Sequence, residues 1–220
     1  MGHHFQVLTN YTWSHCTSTW DFAGELAGPI YQNPLDRANG ERGNCGYDHR
    51  QVFNGSLVAT SPGIGPGAAR FITKDWQISP IVGLFTGNPI QITDGKDVSL
   101  SGQSLDRPTV VLPSQVYPSQ QTAQEWFNPA AFAYAATGTF GNLGRNSVYG
   151  PGMETMDLGI VRGFNLKEKT QLEMRAEFFN ALNHTNLGTP DRFVNTSTFS
   201  SITESTTPGR EVQLSARIQF

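Results

Sequence analysis

The chain has 220 residues, a formal net charge of −3 at pH 7, 15% charged residues, 23 Gly and 13 Pro. The small negative charge gives no reason to expect nucleic acid as a partner, and no apolar run approaches the roughly 18 residues of a membrane-spanning helix. The charged fraction lies below the usual share of about 25% in soluble domains, and the Gly and Pro content predicts many turns and long loops.

The first residues do not form a secretory signal, because residues 1–5 lack a charged n-region and an apolar h-region. An outer-membrane protein needs such a signal to reach its membrane. If the chain is an outer-membrane protein, we therefore expect its natural N-terminus to lie outside this sequence.

Six segments alternate between apolar and polar residues with the period of two that is typical of β-strands. They span residues 5–14, 49–60, 74–86, 156–161, 170–180 and 210–220. A helix is excluded for residues 170–180, because apolar residues at steps of two do not form a stripe at period 3.6. Pro80 predicts that the third segment is short or bent, since proline suits an edge or a bulge.

The last segment separates its side chains most clearly. One face carries Val212, Leu214, Ala216, Ile218 and Phe220, and the other is polar. About ten alternating residues are typical of an outer-membrane β-barrel strand, and the terminal aromatic resembles the signal that the bacterial barrel-assembly machinery reads. The edge strand of a soluble sandwich alternates in the same way, so this segment alone leaves both interpretations open.

Charged residues form a row on the fifth segment. Glu173, Arg175 and Glu177 share one face, and Arg217 is a candidate neighbour on the next strand. The row predicts a lumen-facing surface, which either contacts a plug or a passing substrate, or forms a mutually paired ladder. Facing opposite charges contribute only about 0.2–1 kcal/mol per pair.

Long and short connections alternate along the chain. The long ones are residues 15–48, 87–155 and 181–209, and the short ones are 61–73 and 165–169. Transmembrane barrels have short periplasmic turns and longer extracellular loops, whereas loops above about 12–15 residues are uncommon in compact domains. Aromatics lie near both ends of the strands, as in two membrane girdles: Phe5, Trp76, Phe164 and Phe220 at the inner rim, and Tyr11, Trp13, Phe85 and Phe178 at the outer rim.

These patterns predict an all-β fold of antiparallel up-and-down strands, about six in number, that forms the C-terminal part of a transmembrane outer-membrane β-barrel with long extracellular loops. An open sheet of this kind leaves two unpaired edges, and only a closed barrel satisfies every backbone group in lipid. The first strand therefore needs a neighbour that this sequence does not supply.

Cys16 and Cys45 lie at the two ends of the first long connection. A disulfide between them would close a loop of about 30 residues in an oxidising compartment and stabilise it by a few kcal/mol. Two unpaired thiols in one loop are the alternative.

Several segments resemble the C-terminal barrel portion of large TonB-dependent receptors, in particular the Oar-like type with a carboxypeptidase-regulatory-like domain, common in acidobacteria. They read YTWS at 11–14, DRP at 106–108, WFNPAAF at 126–132, GTFGNLGRN at 138–146, GPG at 150–152 and RAEFFNALNHTN at 175–186, with Phe220 at the end.

The resemblance implies a 22-stranded barrel in the cell outer membrane, of which residues 1–220 would be a part without the plug and the earlier strands. It also implies uptake of a large ligand. The expected partners are outer-membrane lipid, the barrel-assembly machinery and an unknown extracellular ligand. The TonB system would act only through a plug that this sequence lacks.

The sequence contains none of the common catalytic motifs, and we expect neither an enzyme nor a cofactor. The stretch from Gly63 to Gly67 superficially suggests a phosphate loop, but it lacks the Lys-Ser/Thr pair and a following helix is not expected. A flexible periplasmic turn is the alternative. The stretch from Asp94 to Asp97 offers carboxylates for calcium without the 12-residue spacing and closing Glu of an EF-hand.

A different class of protein stays open. A secreted soluble β-sandwich could bind glycans or adhere to surfaces through Trp20, Trp126 and Tyr149 as stacking platforms. Heat-modifiable migration in detergent gels would favour the barrel, and a monomer soluble without detergent would favour the sandwich.

Overall fold

Six long strands form a single antiparallel sheet in the computed structural model, which describes residues 4–19, 32–33, 35–36, 41–102, 106–167 and 170–220. They are β1 (Phe5–Trp13), β2 (Gln51–Pro62), β3 (Lys74–Phe85), β4 (Met153–Lys167), β5 (Thr170–Phe179) and β6 (Glu211–Gln219). The order of the strands in the sheet is their order in the chain. The predicted all-β, antiparallel, up-and-down fold is confirmed.

The connections contain only short elements. A helix, α1 (Gly67–Thr73), joins β2 to β3. Two-residue strands pair within the longer connections: Thr17–Ser18 with Gly43–Asn44, Pro89–Ile90 with Val148–Tyr149, and Thr109–Val110 with Phe132–Ala133. Two 3-10 turns lie at Pro113–Gln115 and Pro129–Ala131. Within the described residues, no helix has both the length and the apolar character needed to cross a membrane.

The register places the predicted apolar sets on one face of the sheet. On β6, Val212 lies opposite Phe178 and Ile218 lies opposite Leu172. On β1, Val7 lies opposite Leu57 of β2. Because alternate side chains point to opposite faces, the apolar face runs continuously across the six strands. Many of its side chains are exposed; Leu214, for example, is 76% exposed.

β4 is longer than the sequence predicts. It runs well beyond residues 156–161, and its Asn165 and Lys167 pair with Gln171 and Thr170 of β5, with a register shift between the two pairs. The predicted turn at residues 165–169 is therefore wrong for residues 165–167, which belong to β4. Residues 168–169 lie outside the described part of the chain. Backbone pairing with β5 extends the strand into residues whose polar character had suggested a turn.

Pro80 lies inside a continuous twelve-residue strand between two neighbours, so the prediction of a short third segment is wrong. Pro80 is paired with Leu158 of β4. On the β2 side, Ile81 pairs with Ser56 and Ile78 pairs with Ala59, but Pro80 between them has no paired residue. A gap in this one ladder accommodates the residue that lacks an N–H.

The connection between β2 and β3 is not simply a flexible turn, because α1 begins at Gly67, the last residue of the Gly63–Gly67 stretch. The Thr73 hydroxyl closes the segment, since it donates to the Ala69 carbonyl at 2.9 Å and accepts from the Ile64 amide at 2.8 Å. All residues of α1 that are described are partly or fully exposed, so tertiary burial does not maintain this helix.

The sheet is open. β1 pairs only with β2 and β6 pairs only with β5 among the described residues. Both edge strands therefore present backbone N–H and C=O groups to which another strand can add.

Candidate functional site in the loop layer

The three long connections lie at the same end of the sheet, because each joins one antiparallel strand to the next. We call them together the loop layer: residues 14–50, 86–152 and 180–210. The layer has its own apolar core, made of Ile90, Ile92, Phe127, Ala131, Phe132, Leu143 and Val148. Val194 and Phe199 from the third connection pack against it. The long connections therefore form a packed structure above the sheet.

The first connection is fastened at its base. Cys16 and Cys45 form a disulfide, with Cα atoms 5.4 Å apart. Next to it, the Asn44 side chain donates to the Asn146 carbonyl at 2.8 Å, and the Asn146 side chain donates to the Asn44 carbonyl at 2.7 Å. This reciprocal pair joins the first connection to the second.

A buried ion pair adds a second tie between these connections. Arg107 Nη1 lies 2.9 Å from Glu41 Oε2, and the two side chains are 6% and 0% exposed. Arg107 Nε also donates to the Leu143 carbonyl at 2.8 Å, and the Gln32 amide donates to Glu41 Oε1 at 2.9 Å. Hydrogen bonds to both partners offset the desolvation that burying two charges entails.

The third connection is attached at two places. Thr93 forms a parallel bridge with Phe193. The Ser200 hydroxyl lies 2.6 Å from the Phe127 nitrogen and 2.7 Å from the Phe127 oxygen, so it satisfies both backbone groups of this fully buried residue. All three connections thus share one structure.

A polar recess of about 560 Å³ opens within the third connection, between residues 188–193 and 198–206. Asp191 lies on its wall. Burial works against ionisation of this carboxyl, but hydrogen bonds from the Thr196 and Thr198 hydroxyls and from backbone amides outweigh it and hold its pKa below the usual value. The recess therefore offers a fixed negative charge to a ligand.

The segments that resemble the receptor family are largely structural. Asp106, Arg107 and Pro108 are all buried. Asn180, which ends β5 in the left-handed region at φ 49°, donates through its side chain to the His184 and Pro208 carbonyls. These motif residues position the loop layer.

Of the three proposed stacking platforms, Trp126 is partly buried in the loop layer. Trp126 packs against the apolar core, and its indole N–H donates to the Tyr149 carbonyl at 2.9 Å. Trp20 lies outside the described residues. The described strands also form one large sheet with only two-residue strand pairs beside it, so the sandwich interpretation is wrong for this part of the chain.

The charged row lies on the polar face as expected. Arg175 is 3.4 Å from both Glu173 and Glu177, and Arg217 faces Glu173 across the β5–β6 ladder. Arg175 thus pairs with both glutamates along its own strand. Of the predicted outer aromatics, Phe85 lies at the expected end but on the polar face, opposite Val52, where its ring contacts His49.

The sequence analysis missed Arg162. This arginine lies on the apolar face opposite Met174, with its guanidinium carbon 4.4 to 5.3 Å from the ring centroids of Phe71, Trp76 and Phe164. Its side chain also bonds to the Phe71 carbonyl. A signal was present, because Arg162 interrupts the apolar series on β4. Aromatic rings close to a guanidinium stabilise its charge through cation–π contacts. These contacts offset the cost of placing Arg162 on an apolar face.

The described residues contain no group of three or more His, Cys, Asp or Glu side chains placed to hold a metal ion. Asp97, from the stretch considered for calcium, instead accepts hydrogen bonds from the Ser101 and Gly102 amides at 3.0 and 2.9 Å. Asp97 therefore stabilises the turn formed by residues 97–102.

An antiparallel meander with one exposed apolar face, one polar face and a packed layer at the end of its long connections defines the wall and surface loops of a membrane β-barrel. The family described as outer membrane beta barrel domain matches residues 1–213. The chain belongs to this family and is an outer-membrane protein. No curated protein and no solved structure matches the chain.

Proposed function

We propose that the chain is the C-terminal part of the barrel of a TonB-dependent receptor of the Oar-like type, and that it serves the energised uptake of a large ligand. The observation that carries the proposal is an open sheet of six long strands under a packed loop layer. The proposal assigns binding and transport, not catalysis, to the chain.

The open edges favour a wide barrel. A barrel of eight strands is filled by its own side chains, whereas 22-stranded outer-membrane transporters enclose a plugged lumen. The six strands form an open sheet in which β1 and β6 do not pair with each other. Such a sheet suits a segment of a barrel with about 22 strands. The receptor resemblance of the motifs agrees with this size.

The loop layer is the surface that a ligand from outside would meet first. Its connections are joined by a disulfide, a buried ion pair and an apolar core, so they present a preorganised surface. The polar recess around Asp191 is the candidate contact for a polar ligand.

A deletion of the gene in its native host tests the proposal. Labelled oligopeptides and oligosaccharides serve as probes of uptake, each measured with and without a protonophore. We expect the deletion to remove a protonophore-sensitive component of uptake for one probe class, and the gene supplied in trans to restore it. Unchanged uptake of both classes would contradict the proposal.

Immunoblotting gives an independent test. An antibody against the loop layer should detect, in the outer-membrane fraction, a polypeptide much larger than the 24.1 kDa of this chain. A band at that mass alone would show that the chain acts without a plug, which contradicts receptor function.

A further inference from the structure

Asp94 is a buried carboxylate without a partner. The residue is 0% exposed, and neither of its two carboxylate oxygens accepts a hydrogen bond. An isolated ionised carboxylate is among the costliest groups to bury. The structure around it should therefore contain either a proton or a cation that is not part of the polypeptide.

A second buried carboxylate lies next to it. The Asp94 amide donates to the Asp106 carbonyl at 2.7 Å, which places the two residues side by side. Asp106 is also 0% exposed, and its two carboxylate oxygens accept from the Ser99 amide at 2.6 Å and the Ser99 hydroxyl at 3.0 Å. These bonds stabilise Asp106 as an anion, which makes an unneutralised Asp94 still less favourable.

The neighbouring side-chain cations are engaged elsewhere. The Lys96 ammonium lies over the Tyr134 ring, 3.6 Å from its centroid. The Arg107 guanidinium is paired with Glu41. Burial and the charge of Asp106 raise the pKa of Asp94 to about 7, with Lys96 opposing them. The Asp94 carboxylate itself accepts no hydrogen bond from either cation.

We propose that Asp94 and Asp106 are two ligands of a calcium site in the loop layer. Ca²⁺ takes six to eight oxygen ligands, including carboxylates, backbone and amide carbonyls, and water. Because only two carboxylates contribute, we expect the weak affinity of extracellular modules, with a Kd of about 0.1–1 mM.

The position of the site predicts what calcium does. Asp94 follows Thr93, whose amide donates to the Arg192 carbonyl at 3.0 Å and whose carbonyl accepts from the Val194 amide at 2.9 Å. This bridge joins the second connection to the third. Bound calcium would hold the two together and stabilise the loop layer.

In the test, the full chain in detergent is treated with a chelator and then titrated with CaCl₂, and its thermal unfolding is monitored at each concentration by tryptophan fluorescence. We expect a saturable rise in Tm with a midpoint of about 0.1–1 mM. Asp94→Asn should raise the midpoint calcium concentration at least about tenfold, because even the loss of a group that only supports a metal ligand typically costs about 10–100-fold in affinity. Asp97→Asn is the matched control, because Asp97 belongs to the same turn but is bonded locally; it should retain the response.

Three outcomes would overturn the site. One is the absence of any calcium-dependent rise in the wild-type chain. Another is an equal loss in the Asp94→Asn and Asp97→Asn variants, which would indicate general attraction to an acidic turn. A third applies even if the variants do not fold: an equal rise in the wild-type Tm with MgCl₂ at the same concentrations would indicate general screening of charge, because Mg²⁺ demands a smaller and stricter octahedral site than Ca²⁺.

Discussion

At the scale of single residues, the motif positions tie the loop layer together. Arg107 belongs to a motif that resembles the receptor family. Its guanidinium donates hydrogen bonds to the Glu41 carboxylate and to the Leu143 carbonyl. Removing one partner of a buried ion pair leaves the other as an uncompensated charge. The stability of the layer should therefore depend strongly on this pair.

Arg107→Met should destabilise the loop layer by about 3–5 kcal/mol, the usual effect of breaking a buried ion pair. Urea unfolding monitored by tryptophan fluorescence measures this loss of stability. Arg175→Met is the control: Arg175 is 44% exposed in its pairs on the polar face, where a loss below about 1 kcal/mol is expected. Equal effects for the two variants would contradict a special role for the buried pair.

Asp94 should make the calcium-free loop layer less stable as the pH rises. The folded chain holds the Asp94 proton up to a pKa of about 7, whereas the unfolded chain releases it near 3.8. Stability from this proton is complete below about pH 4 and is lost as the pH rises towards 7. Thermal unfolding across this range should show the decline in the wild-type chain and a flatter profile in Asp94→Asn. Asp106 and Lys96 are the charged neighbours that modulate it.

At the scale of elements, the two faces of β6 differ in polarity. Leu214 and Ala216 lie on the apolar face of the sheet, and Ser215 between them lies on the polar face opposite Arg175. The role of Val212, Leu214, Ala216, Ile218 and Phe220 as an assembly signal remains a prediction.

Leu214→Arg should impair membrane assembly, because a lipid-facing arginine near the bilayer midplane costs about 2–4 kcal/mol. Ser215→Arg is the matched control on the opposite face and should assemble nearly normally. The measurement is the amount of chain recovered from the outer-membrane fraction of a bacterial host. Similar recovery of both variants would contradict the assignment of the two faces.

The disulfide should stabilise the first connection. Cys16→Ser combined with Cys45→Ser should lower the stability of the loop layer by about 2–5 kcal/mol. Thermal unfolding with and without reductant checks this: the reductant should lower the Tm of the wild-type chain and leave the double variant unchanged. An unchanged wild-type Tm in the presence of reductant would contradict a stabilising role for the Cys16–Cys45 disulfide.

At the scale of the whole molecule, the open sheet needs further strands. β1 is exposed along its whole length, and the other edge strand, β6, is as well. Without added strands, such edges invite pairing between copies.

The isolated chain in detergent should therefore associate. Analytical ultracentrifugation should show species larger than the monomer, formed through β1 and β6. A monodisperse monomer would show that the sheet closes or protects its edges by itself, which contradicts the need for added strands.

The six strands were predictable from sequence because side-chain direction along a strand is a local property with a period of two. The same holds for the two faces of β5 and β6 and for the alternation of long and short connections. Strand ends were less predictable: β4 runs on to Lys167 because β5 supplies pairing partners, and Pro80 is tolerated because one ladder omits its position.

The sequence by itself thus determined the strands of the sheet, their antiparallel order and which of its two faces is apolar. Only the tertiary structure decided what the loop layer is. Glu41 and Arg107 are 66 residues apart in the chain, and the isolation of Asp94 depends on what surrounds it rather than on its sequence neighbours. Alternation is encoded residue by residue, whereas burial and pairing exist only once distant segments pack together.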